Sequence, residues 1–259
     1  MKYFNKIDII RNHNYFQARI FYFLFLALLV SVLITLKAKA QSTNFTGTQI
    51  GATSAPSSYY YSGGTYTLEA SGSGIGGTSD SGFFVNTPSS GNIEITTQVA
   101  SQFATTQNYV QTGLMIRGSI GSPPDTGSIN AYIYVTPKNG VNFSYRSIEG
   151  GTTTTTLGPT FNSPVYLKLA KNGSTINGYV SSNGYSWTLI GSTSLNLPVS
   201  FYTGFCANST STTYTIESDY TSFNLSVNIP QISNNMALWL RSDFGVTASG
   251  VNVTNVQDQ

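Results

Sequence analysis

One histidine and one cysteine are all that this 259-residue chain contains of the two side chains most used in nucleophilic and metal chemistry. The histidine, His13, lies in a segment expected to be removed. The lone Cys206 excludes an internal disulfide, and its Gly204-Phe205-Cys206-Ala207 setting points to a buried, inert thiol. Charge is scarce as well, at 8% of residues. These shortages disfavour most hydrolytic, thiol and zinc mechanisms before any motif is considered.

The charge that is present is unevenly placed. Lys2, Lys6, Arg11 and Arg19 form a basic start, offset only by Asp8, and no charge follows from Ile20 to Leu36. Ala38-Lys39-Ala40 then offers small residues where a signal peptidase reads. Residues 1–40 are therefore expected to be an N-terminal signal helix cleaved before Gln41, which implies a secreted or cell-surface protein. An uncleaved leader would make the same run a membrane anchor, though it is short for a spanning helix. Beyond the leader, six basic residues (Arg117, Lys138, Arg146, Lys168, Lys171, Arg241) stand against nine acids, hence a net charge of −3. No basic run interleaved with aromatics remains, which argues against a nucleic-acid partner.

What the chain has in abundance is Thr, Ser, Gly, Asn and Tyr, with apolar residues in short alternating runs. Period-two alternation predicts strands at Asn92–Val99, Ile129–Val135, Val141–Ser147, Val165–Ala170 and Thr175–Ser181. Each is expected to have one buried and one wet face. Further strands are expected at Gly113–Arg117, Trp187–Gly191, Val199–Ala207 and Thr213–Leu225. Asn139-Gly140, Asn172-Gly173 and Asn183-Gly184 are hairpin turns in the making, because both residues tolerate positive φ. The last four of the five leading strands thus read as a hairpin-linked run of neighbours. So many short strands predict an all-β, two-sheet antiparallel β-sandwich.

The sandwich is expected to span residues 41–228, with a linker at 229–235 around Pro230. A fresh apolar run, Met236-Ala-Leu-Trp-Leu-Arg241, follows, and about thirty residues cannot fold alone. Residues 236–259 therefore read as the truncated start of a second domain.

Several phrases in order carry a family resemblance: Ile50-Gly51; Ile75-Gly-Gly-Thr-Ser-Asp80 before Phe83-Phe84-Val85; Gly113-Leu-Met-Ile-Arg117; Val135-Thr-Pro-Lys-Asn-Gly140; Phe143-Ser-Tyr-Arg146; Tyr166-Leu-Lys-Leu169; and Ser182-Asn-Gly-Tyr-Ser-Trp187. From Ile50 to about Leu225 the chain resembles the concanavalin A-like modules of secreted bacterial multidomain proteins, sometimes described as similar to a regulator of enolase. Leu238-Trp-Leu-Arg-Ser-Asp-Phe-Gly-Val246 resembles the opening of a laminin-G-like domain. The resemblance implies a jelly-roll sandwich with a surface or matrix role, and it brings no catalytic residues. Ser181–Trp187 also resembles the Asp-box hairpin of sialidases, with Asn in place of Asp. That resemblance implies a Trp187 packed into the core.

Three sites follow from residue chemistry. The wet faces of the central strands collect Arg117, Tyr132, Tyr134, Asn142, Arg146, Tyr166, Lys168 and Tyr179. Were these strands neighbours, aromatic faces and hydrogen-bonding groups would form one surface suited to a glycan. The same tyrosines also suit an exposed sheet through β propensity alone. Glu217 and Asp219, at i and i+2 on a strand, share a face with Cα atoms about 6.5 Å apart. Glycosidases need carboxyl groups about 5–9.5 Å apart. Related sandwich glucanases carry a further Glu, which Tyr220 and Thr221 do not supply. Asp80 and Asp125, in Gly/Ser/Pro-rich loops, are calcium candidates without the dense acid spacing of a calcium loop. No other cofactor is indicated. Asn44, Asn142, Asn172, Asn208, Asn224 and Asn252 each begin an Asn-x-Ser/Thr triplet, meaningful where the host glycosylates exported chains. The expected function is a non-catalytic binding or adhesion module with a glycan partner. A glycoside hydrolase using Glu217 and Asp219 and a purely structural spacer are the alternatives.

Overall fold

The structure is a computed structural model. It describes residues 45–103, 107–121 and 126–227, together with two strands near the C-terminus. The leader, the linker around Pro230 and most of the expected second domain lie outside the described residues, as does Asp125.

Fourteen strands build the main body: β1 (Thr46–Ile50), β2 (Ser58–Ser62), β3 (Thr65–Gly72), β4 (Gly82–Ser90), β5 (Ile93–Phe103), β6 (Gln111–Arg117), β7 (Asn130–Thr136), β8 (Gly140–Arg146), β9 (Thr154–Leu157), β10 (Val165–Asn172), β11 (Thr175–Ser181), β12 (Thr188–Ser194), β13 (Ser200–Asn208) and β14 (Ser211–Val227). They form two seven-stranded sheets, paired antiparallel throughout, in the orders β1-β4-β13-β6-β7-β8-β9 and β12-β11-β10-β5-β14-β3-β2. A separate hairpin joins β15 (Val246–Ser249) to β16 (Asn252–Val256). The expected two-sheet antiparallel sandwich is what the described residues form.

The core lies between the sheets and is made by the aliphatic half of each alternation. Leu114, Ile116, Ala131, Ile133, Val141 and Phe143 of the first sheet meet Ile93, Ile95, Leu167, Leu169, Ile176 and Val180 of the second. Phe143 reaches the opposite sheet because two glycines face it. A Cβ on Gly178 or on Gly191 would sit 2.4 Å from its ring. The Asn-Gly turns behave as expected, with Gly140, Gly173 and Gly184 all at positive φ.

One topological expectation is corrected. β7 pairs with β8, and β10 pairs with β11, but β8 and β10 belong to different sheets. Between them the chain forms edge strand β9 and crosses the sandwich. The run of four neighbours is therefore two hairpins on opposite sides of the core.

A second correction follows from burial. β7 is buried along its whole length, and β8 everywhere but Tyr145. Their outward faces are not wet. Loops close over them, and a second apolar cluster of Ile50, Ile75, Phe84, Met115, Tyr132, Tyr134 and Cys206 lies there. Alternation marks two faces but cannot show that a distant loop covers the polar one.

Candidate functional site

The eight residues expected to share one glycan surface are divided between two sheets. Arg117, Tyr132, Tyr134, Asn142 and Arg146 lie on β6–β8 of the first sheet and are all buried. Tyr166, Lys168 and Tyr179 lie on β10 and β11 of the second, half-buried on its outer face. The single surface does not form, because β8 and β10 lie in different sheets.

The two arginines have a structural occupation. Asp80, in the loop between β3 and β4, receives Arg117 Nη1 and Arg146 Nη1, each at 2.6 Å on Oδ2, and Arg146 Nη2 at 2.7 Å on Oδ1. All three side chains have no solvent exposure. Two guanidiniums on one carboxylate would leave uncompensated buried charge. Carbonyl oxygens take up the remaining donors. Arg146 also donates to Gly76, Gly77, Thr126, Ser128 and Gly151, and Arg117 Nε donates to Ser119 at 3.0 Å. Asp80 further accepts from Asn130 Nδ2 and Gly76 N. The cluster pins loops onto strand ends. With both oxygens engaged by cations, Asp80 is not placed to ligate calcium, which corrects that expectation. Among the described residues no group of three His, Cys, Asp or Glu side chains could hold a metal ion.

Beside this cluster Tyr132 and Tyr134 stack, with ring centroids 4.6 Å apart and 20° between planes. Tyr132 donates to the Cys206 carbonyl at 2.8 Å, and Tyr220 donates to the same oxygen at 3.1 Å. Burial pushes both phenols well above their usual range and raises the Cys206 thiol, which matches the inert thiol expected from sequence.

The outer face of the second sheet is where aromatic rings meet solvent. Lys168 pairs across the ladder with Tyr179. Its ammonium lies 4.9 Å from the Tyr179 ring centroid and 4.5 Å from that of Trp187. Glu94 of neighbouring β5 stands 3.7 Å from the same Nζ. Tyr166 completes the group and lies under the β11–β12 turn, where a Cβ on Gly184 would come 3.1 Å from its ring. The turn is built locally. Asn183 Oδ1 accepts from the amides of Tyr185 and Ser186, both at 2.9 Å, and Ser181 Oγ accepts from Gly184 N. This holds Tyr185 out in water, 89% exposed, and sets Trp187 over Lys168. Trp187 is half-buried on this face rather than part of the core, which corrects the packing implied by the Asp-box likeness. The Asp-box likeness assigns Trp187 to the core and so conceals it as a site residue. The signal available was its flanks, Tyr185-Ser186 and Thr188, which are too polar for a buried strand start.

Glu217 and Asp219 do share the outer face of β14, separated by the buried Ser218. Asp219 accepts from Thr67 Oγ1 at 2.7 Å and from Ser101 Oγ at 2.8 Å, one bond to each oxygen. Glu217 sits opposite Glu69 and Phe103 in the ladders. Of the Asn-x-Ser/Thr sites, Asn172 and Asn224 are exposed, whereas Asn142 and Asn208 are buried.

No protein-family model matches the chain, and no curated protein matches it. Solved structures do. A functionally unknown protein from Saccharomyces cerevisiae is similar at a TM-score of 0.54 and 16% identity, covering 70% of this chain and 96% of that one. A carbohydrate-binding module from Bacillus subtilis gives 0.45 and 12%, covering 71% of this chain and 98% of that one. A legume lectin-like domain from Entamoeba histolytica gives 0.47 and 8%, covering 71% and 89%. At these identities the likeness is one of fold, and the yeast structure carries it.

Proposed function

We propose that this chain is a non-catalytic, concanavalin A-like module, exported or displayed on the cell surface, that binds glycan through the outer face of β10–β12. One observation carries the reading. Tyr179 and Trp187 are gathered around the Lys168 ammonium on a regular sheet face, with Tyr166 beside them. Cation–π contact fixes the rings in advance, so little side-chain freedom is lost when a ligand arrives. Aromatic faces pack on the C–H face of a pyranose, and the Lys168, Glu94 and Tyr hydroxyl groups supply hydrogen bonds at its rim. The hydrolase alternative is weaker, since Asp219 already has a hydrogen bond on each oxygen.

Affinity electrophoresis of the chain in gels cast with soluble polysaccharides tests this. At least one polysaccharide should retard the protein, and Trp187→Ala or Tyr179→Ala should weaken that retardation about tenfold, a loss near 1.4 kcal/mol. Equal retardation of the wild type and both variants rules the face out. Absence of retardation by every polysaccharide makes the module a spacer. Release of reducing sugar that is abolished by Glu217→Gln would instead establish a hydrolase.

A further inference from the structure

β2 ends the second sheet, and among the described residues no strand pairs with its far side. Such an edge offers unpaired amides and carbonyls to any chain that can match them, and folds usually blunt it with charge, proline or a bulge. β2 has none of these. Its sequence is Ser58-Tyr59-Tyr60-Tyr61-Ser62, and its register with β3 is unbroken. The other borders are less open. β1 is mostly covered, β9 has four residues, and β12 bulges at Ile190.

The direction of the free groups follows from the turn. Gly63 and Gly64, at φ 57° and 89°, close the β2–β3 hairpin in two residues, so the flanking pair Ser62–Thr65 is hydrogen-bonded. Bonded and non-bonded positions then alternate along the strand. Ser58, Tyr60 and Ser62 direct their amides and carbonyls to β3, whereas those of Tyr59 and Tyr61 face the open border.

The strand also reads the same in both directions. Antiparallel pairing of two copies about Tyr60 therefore sets Tyr59 opposite Tyr61, Tyr60 opposite Tyr60 and Ser58 opposite Ser62. The residues with free backbone groups meet each other. Tyr59 and Tyr61 exchange both of their backbone bonds, and the two Tyr60 side chains meet at the closer, non-bonded position. Tyr60 is 55% exposed and Tyr61 60%. Tyr61 leans on Tyr66 of its own chain, with ring centroids 4.5 Å apart, and its open side would adjoin Tyr59 of the second copy. No charge opposes the contact. Glu69 is the one charged residue of β3, and its two copies would lie at least about 14 Å apart, beyond the screening length of about 8 Å.

We infer that a second copy of this chain docks on β2, joining the two second sheets into one about a two-fold axis at Tyr60. The four exposed tyrosine rings bring only about 350–600 Å² to the contact, well under the roughly 1,600 Å² of a standard interface. The dimer is therefore weak and follows protein concentration. Antiparallel neighbours in one sheet turn the same face to the same side, so the dimer displays two β10–β12 faces together, which raises avidity for a repeating ligand. That consequence rests on the proposed glycan reading; the dimer itself does not.

Sedimentation velocity of the full chain, from low to high micromolar concentration, tests the inference. The weight-average sedimentation coefficient should climb from the monomer toward the dimer value. Tyr60→Lys and Tyr60→Glu, each alone, should weaken association about tenfold by setting like charges against each other at the axis, and an equimolar mixture of the two should recover it. Tyr61→Pro, which removes an amide that faces only the open border, should weaken it to a similar extent. Tyr185→Lys, on the exposed β11–β12 turn, should change nothing. A monomer at every concentration overturns the inference. So does a dimer indifferent to the Tyr60 variants, or one that the mixture of Lys and Glu variants fails to restore.

Discussion

Asp80 is the residue on which most of the loop structure converges. Its carboxylate meets guanidiniums from β6 and β8, and Arg146 in turn gathers carbonyls from residues 76–77, 126–128 and 151. Replacing such a pair with apolar groups can be nearly neutral, but removing one partner leaves an uncompensated charge in the interior. Asp80→Asn should therefore destabilise the protein by about 3–5 kcal/mol. Urea unfolding followed by tryptophan fluorescence measures it, and a loss below about 1 kcal/mol would show that the cluster is solvated, as surface pairs are. This ion cluster was hidden in the sequence. Arg117 closes Gly-Leu-Met-Ile-Arg and Arg146 closes Phe-Ser-Tyr-Arg, and each reads as the polar end of an alternating strand. Asp80 reads as one more loop acid. Only the fold brings side chains 37 and 66 residues apart together.

At the scale of elements, the sandwich depends on a few positions where side chains are missing. Gly178 on β11 and Gly191 on β12 lie opposite each other and admit the Phe143 ring from the other sheet. Gly178→Ala should cost about 1–3 kcal/mol through overpacking. The double variant Gly178→Ala with Phe143→Leu should regain part of the loss. Thermal denaturation of both variants checks this, and equal stability of Gly178→Ala and wild type would mean that the ring moves aside freely. Strands with strong alternation were legible to within a few residues. Thr175–Ser181 is β11 as expected, and Val165–Ala170 falls within β10. Strands β1 to β4 and β9 leave no clear alternation in the sequence. β2 is Ser-Tyr-Tyr-Tyr-Ser and β9 is Thr-Thr-Thr-Leu, and neither offers a period for the eye to follow. Sheet membership was also illegible, because an Asn-Gly turn specifies a hairpin but says nothing of the next crossing. The aromatic face was half legible. Tyr166, Lys168 and Tyr179 face outward as their alternation predicts, while Trp187 joins them through turn geometry that no alternation encodes.

For the molecule as a whole, the acidic groups buried in its interior set a limit at high pH. Tyr132, Tyr220 and Cys206 are fully enclosed, and burial is the leading cause that raises each of them. An acid whose pKa is higher folded than unfolded stabilises the fold fully below its unfolded value, about 8.5 for Cys and 10 for Tyr. That contribution is lost as pH rises through the folded value. Stability should therefore change little between about pH 6 and 8 and fall steadily above about pH 9. Urea midpoints measured across that range test the expectation, and an unchanged midpoint near pH 11 would contradict it.

The strand order has a consequence for how the chain is made. β13 lies between β4 and β6 in one sheet, and β14 lies between β5 and β3 in the other. The last two strands of the sandwich to leave the ribosome are thus the ones that join its halves. Until residue 200 has emerged, each sheet exists as two fragments with raw hydrogen-bonding borders, open to mispairing with other nascent chains. A transcript that ends early here would yield an aggregation-prone product rather than a smaller sandwich.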